Sequence, residues 1–146
     1  MKNIAARSPM PSSSPTNSAS TQPFQVLVVD DYDDSRDMVA LVLKRHGLTV
    51  LEATDGVEAI KMAYLNRPDL ILMDISMPVM DGLESVRQLK GVEVTRSIPV
   101  IVISAHCGDP AMDKRVLDAG CLSCLPKPFD LDELMGVIDG VREPKV

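Results

Sequence analysis

From Gln25 onward, short apolar runs alternate with longer segments in which apolar residues recur every three or four positions. Val26–Val29, Thr49–Ala53, Leu70–Met73, Val100–Ile103 and Cys121–Leu125 each have the length of a strand. Their near-continuous apolarity suits strands covered on both faces. The intervening segments carry helix signals. One opens with Asp33, Asp34 and Asp37, expected as its caps, continues through Met38, Leu41 and Val42, and closes with Lys44, Arg45 and His46 before Gly47, as end capping and the helix dipole favour. A second follows Asp55-Gly56 and stops before Pro68. The last starts at Asp130 with Glu133 at the capping-box offset, and Leu131, Leu134, Met135, Ile138 and Val141 share one face.

Five strand–helix repeats predict an α/β fold, a doubly wound parallel sheet with helices on both sides. In such sheets ligands bind at the carboxyl ends of the strands. The first run ends in Asp30-Asp31, the third in Asp74, the fourth in Ser104, and the fifth leads through Pro126 to Lys127-Pro128. Three carboxylates, a hydroxyl and an ammonium are thereby directed to one crevice. Crowded carboxylates repel, and a hard divalent cation such as Mg²⁺, which keeps several waters, relieves them. A carboxylate beside Mg²⁺ and a lysine can accept a phosphoryl group, and Ser104 can then hydrogen-bond one of its oxygens. Taken singly, Ser104 is an ordinary loop hydroxyl and Lys127 a solvated surface lysine. Only their place at the ends of successive core strands gives them weight.

Composition changes the picture at the ends of the chain. The first 23 of the 146 residues hold six serines and four of the eleven prolines, with Lys2 and Arg7 and no acid. Such a segment cannot bury a core and reads as a disordered tail. It has no apolar stretch for a secretory signal. The chain's net charge is −6, so the tail's two basic residues leave the rest at −8. That balance offers no basic stripe for direct nucleic-acid contact, and no run is long enough to insert in a membrane. The expected organisation is a tail over 1–23, one domain over 24–141 and a short tail over 142–146.

Cys107, Cys121 and Cys124 are an odd number without the spacing of a secreted disulfide scaffold. A reducing compartment is the simpler reading, and the expected location is cytoplasmic. Cys121-x-x-Cys124 has the spacing of a redox pair or half a zinc site, but it lies in an apolar run and no second such pair completes four ligands.

The run Pro68-Asp-Leu-Ile-Leu-Met-Asp-Ile-Ser-Met-Pro-Val-Met-Asp-Gly82, together with Val26-Leu-Val-Val-Asp-Asp31, Ile103-Ser-Ala105 and Leu125-Pro-Lys-Pro-Phe129, resembles the signature of the receiver domains of two-component response regulators. The likeness spans about residues 24–141. It implies a flavodoxin-like sheet of strand order 2-1-3-4-5, with Asp74 as phosphoacceptor. It also implies Mg²⁺, with Mn²⁺ as an alternative, on Asp31, Asp74 and the backbone carbonyl of Ser76, with Asp30 acting through a water. Ser104 and Lys127 would engage the phosphoryl group, and the Lys127–Pro128 bond is expected cis. Ser76 and His106 occupy positions that influence phosphorylation and hydrolysis rates in the family. The implied partners are a histidine kinase or histidine phosphotransfer protein as donor, and a downstream protein. One position departs from the family: three residues before Lys127, where Tyr or Phe is usual, stands Cys124. An aromatic lever is absent there, and the alternatives are a small packing residue, a pocket or an oxidation-sensitive thiol.

Other classes compete. A haloacid-dehalogenase-like phosphatase also joins an Asp nucleophile, Mg²⁺, a hydroxyl and a lysine, but needs a second Asp two places on, where Ser76 stands. A receiver-like module that is never phosphorylated should lack an acid or the lysine, and none is lacking. With five residues after Val141, the expectation is a stand-alone receiver or one cut from a larger regulator or hybrid kinase.

Overall fold

The computed structural model describes residues 23–75 and 82–142. Within them the chain runs β1 (Gln25–Val29), α1 (Asp33–Arg45), β2 (Thr49–Ala53), α2 (Gly56–Asn66), β3 (Leu70–Asp74), α3 (Gly82–Lys90), a single helical turn at Glu93–Arg96, β4 (Val100–Ser104), α4 (Pro110–Ala119), β5 (Ser123–Pro126) and α5 (Leu131–Arg142). The strands form one parallel sheet in the order β2-β1-β3-β4-β5. The doubly wound parallel sheet is what the alternation of runs predicts, and its flavodoxin-like strand order is the one the family resemblance implies. No helix among the described residues is long and apolar enough to cross a membrane.

Side chains on successive strand positions point to opposite faces, so each buried strand feeds two cores. Leu27, Val29, Ile71, Met73, Val100 and Val102 pack with residues of α2, α3 and α4 on one face. Val26, Val28, Leu70, Leu72, Ile101 and Ile103 pack with α1 and α5 on the other. The central strands β3 and β4 are buried throughout, whereas β2 and β5, at the edges, are only partly covered. Glu52 can therefore sit in β2, where it pairs with Arg36 of α1 at 3.1 Å.

The helix ends follow the sequence signals with one correction. Asp130 and Glu133 exchange backbone-to-carboxylate hydrogen bonds at 2.8 and 2.9 Å, a reciprocal capping box at the start of α5. Asp55 accepts from the Glu58 amide at 2.8 Å and Asp109 from the Ala111 amide at 3.2 Å. At α1, however, the cap position is Tyr32, with no side-chain cap bond. Asp33 and Asp34 lie inside the first turn, where their charge favours the helix dipole without capping it.

The fifth strand also starts later than the apolar run suggests. Gly120, at φ +100°, ends α4 in the left-handed region, and the Cys121 amide donates to the Val116 carbonyl at 3.1 Å. Cys121 is thus committed to closing the helix, and the ladder assigned to β5 begins at Ser123. The same difference corrects the cysteine reading. Cys124 lies in the strand beside Val102 and is disulfide-bonded to Cys107 from the loop after β4. Cys121 is a free, buried thiol, so Cys121 and Cys124 form neither a redox pair nor half a zinc site.

Gly82 opens α3 directly against β3's exit. A Cβ there would lie 2.6 Å from Ile75 Cγ2 and 3.0 Å from Ile75 Cα, and backbone cannot move aside as a flexible side chain can. Gly82→Ala is expected to lower stability by about 1–2 kcal/mol, overpacking outweighing the gain in helix propensity. Urea unfolding at parental midpoint would contradict this.

Candidate functional site

The register of the sheet assembles the site. Val29 pairs with Met73, Asp74 with Ile103 and Ser104 with Pro126. One step further along each strand, Asp30 lies beside Asp74, Ser104 follows in β4 and Lys127 follows β5. Asp30, Asp74, Ser104 and Lys127 therefore come to one edge of the sheet because parallel strands in register end together. Asp30, Asp74 and Ser104 are 6%, 4% and 2% exposed. Asp31 is exposed at the same carboxyl edge.

Asp74, at the end of the middle strand, is joined to Lys127, whose Nζ stands 2.6 Å from Asp74 Oδ2. A carboxylate this deeply buried needs compensation, and breaking a fully buried pair costs about 3–5 kcal/mol. Because the Lys127 side chain retains 32% of its exposure, the pair lies between that regime and the surface one, where pairs contribute under about 1 kcal/mol. The Lys127–Pro128 bond is cis, as the family resemblance implies.

Ser104 ties two neighbouring segments to this pair. Its hydroxyl oxygen accepts from the His106 amide at 3.0 Å. Its carbonyl accepts from the Lys127 amide at 3.1 Å and from the Cys107 amide at 3.4 Å. The loop leaving β4 and the residue carrying the ammonium are thus hung from one residue.

Two contributors to the site carry no sequence signal of their own. Ser35 Oγ donates to Asp30 Oδ2 at 2.6 Å, while the Tyr32 amide donates to Oδ1 at 2.9 Å. Arg36 donates to the Asp30 carbonyl at 2.8 Å and to Asp33 Oδ1 at 2.7 Å. The Asp33 hydrogen bond is the main cause that raises the Arg36 pKa, desolvation opposing it and Glu52 adding to it. A hydroxyl five residues after an aspartate has no motif to mark it. It becomes a partner only because the chain folds back from β1 into α1.

The donor set fits a hard cation held through few protein ligands. Among the described residues no three His, Cys, Asp or Glu side chains are gathered as metal ligands, and both oxygens of Asp30 already accept hydrogen bonds. Carboxylate oxygens with a shell completed by water suit Mg²⁺ better than softer metals. Ser76, the expected carbonyl ligand, lies outside the described residues.

A family model described as the response regulator receiver domain matches residues 26–139. The chain is 41% identical over 115 residues to the response regulator MprA of Mycobacterium sp. (strain KMS), covering 77% of this chain and 48% of that protein. It is 37% identical over 133 residues to protein-glutamate methylesterase/protein-glutamine glutaminase 3 of Hahella chejuensis, covering 84% and 38%. The chain thus spans less than half the length of these curated relatives. Among solved structures, the chemotaxis protein CheY4 of Vibrio cholerae superposes with a TM-score of 0.78 at 31% identity, covering 82% of this chain and 99% of that one. The receiver domain of the sensor histidine kinase PA1611 of Pseudomonas aeruginosa, with a magnesium ion coordinated in its active site cleft, gives 0.75 at 28% identity, covering 84% and 100%.

Ser35→Ala removes a hydrogen bond to a buried carboxylate and should cost about 1.5–3 kcal/mol in urea unfolding, the range for hydrogen bonds to charged groups. An unchanged midpoint would show that the Asp30 carboxylate does not depend on this hydroxyl.

Proposed function

The chain belongs to the response regulator receiver domain family, and we propose that Asp74 is its phosphoacceptor, with Lys127 and Ser104 as the groups that receive the phosphoryl oxygens. The observation that supports this most directly is the 2.6 Å contact between Lys127 Nζ and Asp74 Oδ2 at the end of the central strand. An ammonium held on the nucleophilic carboxylate stands where negative charge accumulates in transfer, so little rearrangement is needed to stabilise it.

The reaction is displacement at phosphorus. A carboxylate oxygen of Asp74 forms the new O–P bond as the N–P bond of a phosphohistidine donor breaks, and the donor imidazole leaves. Lys127 then moves from the carboxylate to a phosphoryl oxygen. Ser104 exchanges its hydrogen bond from the His106 amide for donation to another oxygen, which pulls on the loop after β4. The domain so assists its own phosphorylation and dephosphorylation, and the output is a changed protein-binding surface.

Asp31 and Asp74 would hold Mg²⁺, or Mn²⁺ in its place, with the Ser76 carbonyl, and Asp30 would act through a water. When bound, the cation supplies positive charge against the transferring group. The magnesium in the Pseudomonas receiver supports this assignment by analogy. The donor is a histidine kinase or histidine phosphotransfer protein and the recipient a downstream protein, in the cytoplasm, without direct contact to nucleic acid. The domain is taken to begin near residue 24 and to run through Arg142, one residue beyond the expected limit of 141, because α5 continues that far.

Acetyl phosphate with Mg²⁺ should add one phosphoryl group to the full chain, read as a hydroxylamine-labile mass gain. Asp74→Asn keeps the shape and removes the nucleophile, so it should fold and take no label. Label on that variant at the parental level would overturn the assignment. Labelling should also require the metal, falling to background in excess chelator. Lys127→Ala removes a cation from a cluster of acids and is expected to tighten Mg²⁺ binding several-fold, while weakening the response of the loop after β4. Unaltered metal affinity, measured by titration, would argue against Lys127 and the metal sharing one site.

A further inference from the structure

Cys107 and Cys124 stand apart from the rest of the molecule's sulfur chemistry. Their Cα atoms are 5.6 Å apart, within the ordinary span of a disulfide, and they are bonded. Both residues are only partly buried, so neither is enclosed as Cys121 is. Cys121 is different. It is buried, and burial pushes its thiol up to about 11, so it is not a competent nucleophile near neutrality. Of the three cysteines, the two that can exchange are the two that are joined.

The bond lies where movement would be read out. Cys107 is in the loop leaving Ser104, and its amide donates to the Ser104 carbonyl that also accepts from the Lys127 amide. Cys124 is in β5, paired with Val102, two residues before Pro126. The bridge spans a sequence separation of 17 residues that encloses all of α4. It therefore fastens the loop after the hydroxyl strand to the neighbouring strand that leads to the lysine. It also forms one wall of a groove of about 460 Å³ whose other apolar lining includes Val116, Leu117 and Leu122. Leu117 and Leu122 are themselves exposed.

We propose that Cys107–Cys124 is a reversible redox site, a cystine that pins the loop after β4 to β5 when oxidised and frees it when reduced, so that thiol state sets how far phosphorylation at Asp74 moves α4 and its groove. The coupling to Asp74 rests on the phosphoacceptor reading, whereas the cystine does not. A structural staple is the competing role, but β5 is also attached to the sheet by other means. β5 is already joined to β4 by a four-residue parallel ladder and packed through Leu125 into the second core. In the reducing compartment proposed above, the disulfides that do form are characteristically transient or redox-sensing.

The co-reactant is a disulfide, either oxidised glutathione or the oxidised form of a dithiol protein. One protein thiolate attacks a sulfur of that disulfide and expels a thiolate. The second then attacks the mixed disulfide and expels the other. Two protein S–H bonds are lost and one S–S bond forms. Two electrons pass to the incoming disulfide, which leaves as two thiols carrying the two protons. Reduction is the reverse.

The full chain, equilibrated in buffers of graded reduced-to-oxidised glutathione and quenched by alkylation in denaturant, provides the first test. Peptide masses should show Cys107 and Cys124 losing alkylation together as the buffer becomes oxidising and regaining it on return, with Cys121 alkylated throughout. Pairing through Cys121, thiols that stay reduced in every buffer, or a bond that opens only when the protein unfolds would each overturn the proposal. Hydrogen exchange, which needs no phosphorylation, provides the second. Amides of residues 105–119 should exchange roughly tenfold faster in the reduced form. Cys107→Ser should match the reduced form in both buffers. Should that variant fail to fold, parental protein in dithiothreitol makes the same comparison. Equal exchange in the two forms would overturn the pinning. Finally, acetyl phosphate should label both forms to within about twofold, since the bridge lies outside the acceptor site, whereas beryllofluoride should shift the amides of 105–119 more in the reduced form. Equal shifts would overturn the coupling. Label in neither form would instead overturn the phosphoacceptor reading, and the alkylation and exchange results would still judge the cystine by themselves.

Discussion

A carboxylate 4% exposed at the carboxyl end of the middle strand is the constraint around which this domain is arranged. Burying such a charge without compensation costs several kcal/mol. The fold supplies an ammonium from the edge of the sheet, two strands away, at 2.6 Å. That pairing requires β3, β4 and β5 to end level with one another. Any slip of one residue in β5 would send Leu125 out of the second core and displace Lys127 from Asp74. Core packing and site geometry are enforced by the same register.

The two cores make the register stringent. Each central strand is apolar on both faces, so its hydrogen-bonded middle has no place for a charged group, and polar side chains collect where the strands end. Asp30 illustrates how such groups are accommodated. Its backbone amide continues the ladder to Ala53 at 3.1 Å, and its carboxylate is held by Ser35 and the Tyr32 amide. Its carbonyl is held by Arg36, which also reaches Glu52 on the edge strand. The acidic edge is thus braced from α1 and β2 on one side and from Lys127 on the other.

Ser104 connects this braced edge to the loop that leads to α4. One residue accepts hydrogen bonds from His106, Cys107 and Lys127 through its hydroxyl and carbonyl oxygens. A displacement at its hydroxyl is therefore felt in the loop that leads to α4. The Cys107–Cys124 bond crosses that same path, joining the loop to β5 at the position where an aromatic side chain is usual in the family. A covalent tie in place of a rotating ring changes what limits the motion, from side-chain packing to the oxidation state of two sulfurs.

The strands, their approximate limits and the residues at their ends were legible in the sequence because they depend on local pattern. Val26–Val29 and Val100–Ile103 are apolar at every position, Asp130 and Glu133 sit at the capping offset, and Asp30, Asp74, Ser104 and Lys127 each follow a core strand. Parallel packing then brings those ends together without further information. The tertiary structure alone decided that Tyr32 rather than an aspartate occupies the cap position of α1, that Ser35 and Arg36 hold Asp30, that Gly82 must clear Ile75, and that Cys124 bonds to Cys107 instead of Cys121. In the cysteines the reason is plain. A spacing of three suggests proximity along the chain, but Cys121 is used to close α4 and Cys124 belongs to a strand, so their backbones diverge. Cys107 lies 17 residues away along the chain, and the pairing of β4 with β5 brings it within reach. Local periodicity governs which element forms, while partners across elements are chosen by the order and register of the sheet.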